Sequence, residues 1–326
     1  MSEHFRLASN LAPFSRLCDR FVPSGYTEDH PFEKKLEMLA AIDGIDGIGL
    51  GYPTGAAESG SELRRILDDH GLTWAVSDAD IYTEPRFKHG SLSNRDPKIR
   101  TAAIDRIKEA IDGSAEGGAA SMNLWLGHDG FEYCFQGHYD DVWKWILDGL
   151  AEIAEYNTSD MPVCIEPKCK EPRANMYLAN TGKTLWALAK IGSPKLALTL
   201  DFGHSLAALE NPAEVAVLAM REGRLKQIHL NDNRRDWDLD LVPGSATVWE
   251  HLEFYYWLRK LGYDGWFSAD VFNYREDGIQ VLDRVVQVHR KCTRIADKLI
   301  EMDIESIIRD GGHMEMLRIL WDMLAE

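Results

Sequence analysis

Residues 162–173 read Pro-Val-Cys-Ile-Glu-Pro-Lys-Cys-Lys-Glu-Pro-Arg. A short apolar run ends on Glu166, Lys168 follows two positions on, and turn residues close the stretch. Side chains alternate faces along a strand, so Glu166 and Lys168 point into the same space. Three more segments repeat the plan: Leu-Ala-Leu-Thr-Leu-Asp201, Lys-Gln-Ile-His229 and Gly-Trp-Phe-Ser-Ala-Asp270. Four apolar strands that each finish on an acid or a histidine predict metal ligands gathered at one end of a parallel barrel.

Outward from that stretch, β and α patterns alternate along the chain. Strands are expected at 5–11, 45–51, 73–77, 121–126, around 163–166, and at 196–201, 225–231 and 265–271. Helices are expected at 31–43, 60–71, 97–116, 139–156, 181–192, 212–222, 246–262 and 280–301. Ser61 reads as the cap of the second helix, Gly71 as its stop, and Pro97 as the opening residue of the third. Two polar loops, 80–97 and 231–245, are long for a compact domain, and such loops commonly carry function. Eight unbroken repeats predict an α/β fold of the (β/α)8 TIM-barrel kind over 1–302, with a C-terminal helical extension over 303–326. No Gly-x-Gly-x-x-Gly follows a strand, which disfavours a dinucleotide fold.

Composition narrows the function classes. The chain has 326 residues and a formal net charge of −17. So acidic a chain repels phosphate backbones, which argues against nucleic-acid partners. The five cysteines form no CxxC pair, the N-terminus shows no basic-then-apolar leader, and no apolar run approaches 18 residues. The expectation is a reduced, cytoplasmic protein that does not engage a membrane.

At a barrel mouth, Glu166, Asp201, His229 and Asp270 become neighbours. Three carboxylates around one point repel one another, and a divalent cation removes that cost. Oxygen-rich ligation with one imidazole suits Mn2+, Mg2+ or Co2+. Asp201, His204, Asp238 and Asp240 form a candidate second set with Asp201 bridging, so one or two ions per chain are expected. Lys168 is placed to hydrogen-bond a substrate carbonyl. Trp125 and Phe87 are candidate apolar walls for sugar C–H faces, and His128 is a weaker base candidate. Each has a plainer reading. A lone strand-end acid usually caps or pairs, His204 suits a structural hydrogen bond, Asp238 and Asp240 suit a solvated loop, Lys168 suits an ion pair, and aromatics suit the core.

These motifs together resemble the xylose isomerase-like sugar isomerases and epimerases. Glu166-Pro-Lys-Cys-Lys-Glu-Pro-Arg173 resembles that family's Glu-Pro-Lys-x-x-Glu-Pro-Arg element, and Asp201-Phe-Gly-His204 its acid-x-Gly-His element. Asp238-Leu-Asp240 is similar to its second-metal loop, and Asp270-Val-Phe-Asn-Tyr-Arg275 to its last metal-binding strand end. The 87–97 loop and Trp125-Leu-Gly-His-Asp-Gly130 resemble its substrate wall. The resemblance implies a first, structural ion on Glu166, Asp201, His229 and Asp270, and a second, mobile ion on Asp201, His204, Asp238 and Asp240. It further implies a homodimer or homotetramer with contacts from about residue 280 onward. Three departures stand out: His229 where xylose isomerases carry aspartate, no imidazole after the second strand (Ile48-Gly-Leu-Gly51-Tyr52), and a shorter C-terminal end.

The expected activity is a metal-dependent aldose–ketose isomerisation of an unphosphorylated monosaccharide by a hydride shift between C1 and C2, with Lys168, Glu166 and His204 as catalytic groups. A ketose 3-epimerase is the alternative. It needs two metal-bound carboxylates flanking a carbon, and Asp270 is short for that role. A metal-dependent phosphodiesterase of the endonuclease type and a non-enzymatic sugar-binding barrel are more distant. The first wants a histidine-rich zinc cluster and a basic surface, the second no acid set.

Overall fold

The structure is a computed structural model that describes residues 5–324. Eight parallel strands close into a barrel: β1 (Arg6–Ser9), β2 (Gly47–Gly49), β3 (Thr73–Asp78), β4 (Met122–Trp125), β5 (Val163–Glu166), β6 (Leu196–Asp201), β7 (Leu225–Leu230) and β8 (Trp266–Ala269). Each pairs with its sequence neighbours, and β1 closes on β8 with Ser9 opposite Ala269. The major helices outside are α1 (Phe32–Ala40), α2 (Gly60–Asp69), α3 (Pro97–Glu116), α4 (Tyr139–Tyr156), α5 (Thr181–Ile191), α6 (Pro212–Arg221), α7 (Val248–Leu261) and α8 (Gly278–Glu301).

The helix starts follow local chemistry. Asp96 caps α3 by accepting from the Lys98 amide ahead of Pro97, and Asn180 caps α5 by accepting from Lys183. Asn211 caps α6 and Asp277 caps α8 in the same way. Each such cap stabilises its helix by about 1 kcal/mol. The cap of α2 is Ser59, not Ser61: its hydroxyl accepts from the Glu62 amide, and Ser61 already lies inside the first turn.

β5 and β6 are buried along their whole length, as strands covered on both faces must be. The core continues outward through Trp74, Phe254, Tyr255 and Phe267. Beyond α8, the extension expected over 303–326 forms α9 (Glu305–Arg309) and α10 (His313–Leu324), anchored by buried Ile304, Ile319 and Met323. Residues 325 and 326 lie outside the described residues. No helix among the described residues is long and apolar enough to cross a membrane.

Two insertions shape the mouth. A two-stranded antiparallel ribbon, Gly130–Phe131 with Asn175–Met176, joins the loops after β4 and β5. A short helix, Phe202–Ala207, begins directly where β6 ends, in a stretch of sequence that shows no separate helix signal.

Candidate active site

Strand register brings the strand-end residues together. Asp201 sits opposite His229 and Trp125 opposite Glu166, while Asp270 follows β8 with its amide on the Leu230 carbonyl at 3.2 Å. One ligand atom from each of Glu166, Asp201, His229 and Asp270 lies within 4.8 Å of all the others. His229 Nδ1 is 3.0 Å from Glu166 Oε1, 3.7 Å from Asp270 Oδ2 and 3.9 Å from Asp201 Oδ2. Donors around a divalent cation with bonds near 2.1 Å stand from about 3 Å apart when adjacent to about 4.2 Å when opposite, and the three distances from His229 already fall in that range.

The titration of these groups reflects their crowding. Burial pushes Asp201 up to about 7, against the pull of His204, with Asp238 and Glu166 adding to the rise. Burial also raises Asp270, while Glu166 overcomes its own burial and falls to about 2 because His229 and His204 face it. Burial disfavours the charged form of both imidazoles, yet the surrounding carboxylates carry His204 and His229 up to about 10. A site that keeps protons as counter-charges is one a cation can take over.

A second group adjoins the first. Asp201 caps the short helix through the His204 amide at 2.7 Å, which fixes the imidazole beside it. His204 Nδ1 lies 3.1 Å from the Pro167 carbonyl, an acceptor only, so this nitrogen carries a proton and Nε2 faces Asp238 Oδ2 at 3.0 Å. Such an arrangement leaves Nε2 as the ligating atom. Asp238 Oδ1 is buried without a hydrogen-bond partner, which a cation would satisfy. Burial, Asp238 and Asp270 hold Asp240 well above the usual carboxylate range. Its backbone, at a φ of 45°, occupies the left-handed region, where a non-glycine residue costs on the order of 1 kcal/mol.

The loop bearing these acids is tied down at several points. Leu241 donates to the Asp232 carbonyl at 2.9 Å and Phe272 to that of Asp240 at 3.1 Å. Asp232 in turn accepts from the Ala246 and Thr247 amides at the start of α7. Lys168 Nζ stands 2.8 Å from Asp238 Oδ2, 3.0 Å from Glu171 Oε2 and 5.2 Å from the centre of the Trp125 ring. Burial works against its charge, but Asp238 and Glu171 outweigh burial and hold the ammonium above the ordinary lysine range.

All of this faces a cavity of about 430 Å³ at the strand ends. Among the described residues its wall includes six carboxyl groups (Asp78, Glu166, Glu171, Asp238, Asp240 and Asp270), one lysine and no arginine. A larger space of about 860 Å³ runs beside α8, lined by residues such as Arg284, Val288 and Cys292, and none of the clustered groups reaches it. Size alone therefore does not mark the site.

Trp125 lines the cavity, half-buried, with Tyr82 edge-on at 4.7 Å. Phe87 does not line it: the ring is fully buried in the core, because the 80–97 loop folds inward and the Ser91 and Ser93 amides close on Asp129. His128 also stays off the wall. Burial lowers its pKa, and its carbonyl accepts from Arg173 at 3.0 Å. Both are corrections to the sequence-based substrate wall. Missed by sequence reasoning were the amides that steer the acids. Asn10 donates to Asp270 at 2.8 Å, Asn123 to Glu166 at 2.6 Å, and Asn231 to Asp201 at 3.0 Å and Asp240 at 3.2 Å. Gln227 meets His229 Nε2 at 2.7 Å. Asp78, closing β3, was also missed, although the strand-end rule that found its neighbours applies to it.

Comparison with known proteins agrees with this architecture. Xylose isomerase of Thermus thermophilus is 30% identical over 208 residues, which is 62% of this chain and 54% of that enzyme. The chain thus spans about half the length of the curated relatives it matches. A D-tagatose 3-epimerase-like protein superposes with a TM-score of 0.69 at 17% identity, over 90% of this chain and 99% of the other. An L-ribulose 3-epimerase gives 0.69 at 15% identity, over 91% and 97%. At such identities the likeness shows the shared fold. The sequence profile of xylose isomerase-like TIM barrels matches residues 36–292, and the chain belongs to that family.

Proposed function

We propose that this protein is a divalent-metal-dependent aldose–ketose isomerase of unphosphorylated monosaccharides. The observation that carries the reading is the placement of Lys168 against Asp238, on the same cavity wall as the four-residue cluster. Glu166, Asp201, His229 and Asp270 would hold one ion, and Asp201, His204, Asp238 and Asp240 a second. Divalent cations in these positions supply charge stabilisation on neighbouring substrate oxygens.

The chain's own groups then divide the work. Lys168 donates a hydrogen bond to the carbonyl oxygen of the open sugar and steadies negative charge as it builds there. Trp125 and Tyr82 present ring surface to the sugar's C–H faces. Asp238 and Glu171 keep Lys168 charged and aimed. The C2 hydrogen passes as a hydride to C1 while the O2 hydroxyl gives up its proton to become the carbonyl and O1 takes one up, so no side chain needs to abstract a hydrogen from carbon. Among the described lining residues Lys168 is the one lysine and no arginine joins it, so the wall offers a phosphate ester no basic clamp, which supports an uncharged sugar.

One observation favours a second reading, a ketose 3-epimerase. Glu166 and Asp270 both converge on His229 Nδ1, so two carboxylates flank one space, as carbon deprotonation and reprotonation require. The test is turnover of a panel of pentoses and hexoses with Mn2+, Mg2+ or Co2+ in deuterated water. A hydride shift yields product with little solvent label; deuterium at C3 in every turnover supports epimerisation instead. Full activity after exhaustive chelation would falsify both.

A further inference from the structure

An aldose in water is almost entirely a cyclic hemiacetal, and carbonyl chemistry at C1 and C2 needs it open. Some group must therefore carry the proton between O1 and the ring oxygen. The end of β2 offers only Gly49, Leu50 and Gly51, and neither His89 nor His128 lines the cavity. The imidazoles that do line it are engaged: His204 lies between Pro167 and Asp238, and His229 between Gln227 and Glu166.

Most of the other titratable groups are also committed. Glu166 and Asp270 belong to the first cluster, Asp238 and Asp240 to the second, and Lys168 pairs with Glu171. Asp78, Tyr82 and Tyr274 are left on the wall. Burial raises both tyrosines, so each keeps its proton at neutral pH. Asp78 makes no ion pair within 4.0 Å among the described residues.

The setting of Asp78 suits proton exchange. It closes β3 opposite Asn123, whose amide also holds Glu166, so the carboxyl stands one residue away from the metal cluster without joining it. The absence of a side chain at Gly51 keeps its flank clear; a Cβ there would lie 3.8 Å from that of Asp78. Burial lifts the carboxyl to about 6, with His229 and the Asn123 amide pulling down and Glu166 and Asp270 pushing up. A group poised there both accepts and returns a proton near neutral pH.

We propose that Asp78 is the catalytic residue that opens the sugar ring. The step extends the aldose–ketose reading above. The Asp78 carboxylate takes the proton from the C1 hydroxyl, the C1=O bond forms, and the bond from C1 to the ring oxygen breaks. Asp78 then returns that proton to the departing oxygen. The carboxylate is restored, and nothing is oxidised or reduced.

Ring opening can be read without isomerisation, as exchange between anomers. Freshly dissolved single anomers of a pentose and hexose panel are followed by polarimetry with the Mn2+-loaded protein. The expected result is that the wild type exchanges at least one aldose faster than buffer and that Asp78→Asn slows this at least tenfold. Mn2+ stoichiometry and binding of the open-chain polyol with the same carbon skeleton should stay within twofold of wild type. Asp78→Ser serves as the second variant should Asp78→Asn not fold. The proposal is overturned if no aldose is exchanged above the buffer rate, if the variant exchanges as fast as wild type, or if the variant loses polyol binding. Asp78-dependent exchange without any ketose formed would retain the proposal and reject the isomerase reading.

Discussion

One carboxylate oxygen, Asp238 Oδ2, is shared by two cationic groups: Lys168 Nζ at 2.8 Å and His204 Nε2 at 3.0 Å. Removing its charge leaves Lys168 with Glu171 alone and strips the second cation position of a donor. Asp238→Asn is expected to reduce Mn2+ bound per chain from two to one, as counted by electron paramagnetic resonance, while the first ion stays. Two ions retained in the variant would mean that the second position is not built on Asp238.

Lys168→Gln keeps a polar tip on a side chain one atom shorter but loses the ammonium. If Lys168 stabilises charge on the substrate oxygen, kcat should fall by about 10²–10³, the usual loss of one preorganised donor. Metal stoichiometry should hold. A rise in KM at unchanged kcat would assign Lys168 to ground-state binding instead.

Apo stability should fall as the pH rises from neutral. His204 and His229 are raised to about 10 in the folded chain, so their contribution is complete below about 6.5 and is lost on the way to 10. Asp201, raised to about 7, acts in the same direction at lower pH, because the folded state holds a proton that the unfolded state has released. Melting temperature against pH, with and without Mg2+, measures this. Bound cation should flatten the slope by replacing the protons, and at 100-fold excess over Kd it should add about 2.7 kcal/mol of stability.

Gly203 tests the steering amides. A Cβ there would lie 2.5 Å from Asn231 Oδ1, and Asn231 holds Asp201 and Asp240. Gly203→Ala should weaken Mn2+ binding at least tenfold with circular dichroism unchanged. Unaltered metal affinity would show that Asn231 does not govern the two acids.

How much of this was legible in the chain depends on the range of the interaction. Strands and helices follow local periodicity, so Leu196–Asp201 and Pro97–Glu116 emerge from sequence with the same ends as in the structure. The acids at strand ends are legible because a barrel gathers them whatever their separation in sequence. Partners such as Asn10 and Asp270, 260 residues apart, leave no pattern that a single sequence displays. Phe87 reads as a wall residue because an aromatic in a polar loop looks exposed. Its burial depends on Ser91 and Ser93 closing onto Asp129, a contact across 38 and 36 residues. Asp78 lies immediately after the strand expected over 73–77, and the ending rule applied one residue further would have found it.

The imbalance of the cavity wall has a kinetic consequence. A carboxyl-rich entrance draws small cations in as they take over from the protons held there, and gives a neutral sugar no such pull. Assembly at the mouth should therefore be sequential, with ions arriving first and rapidly and sugar following into a space already neutralised. High salt would then slow the first arrival and leave the second almost untouched.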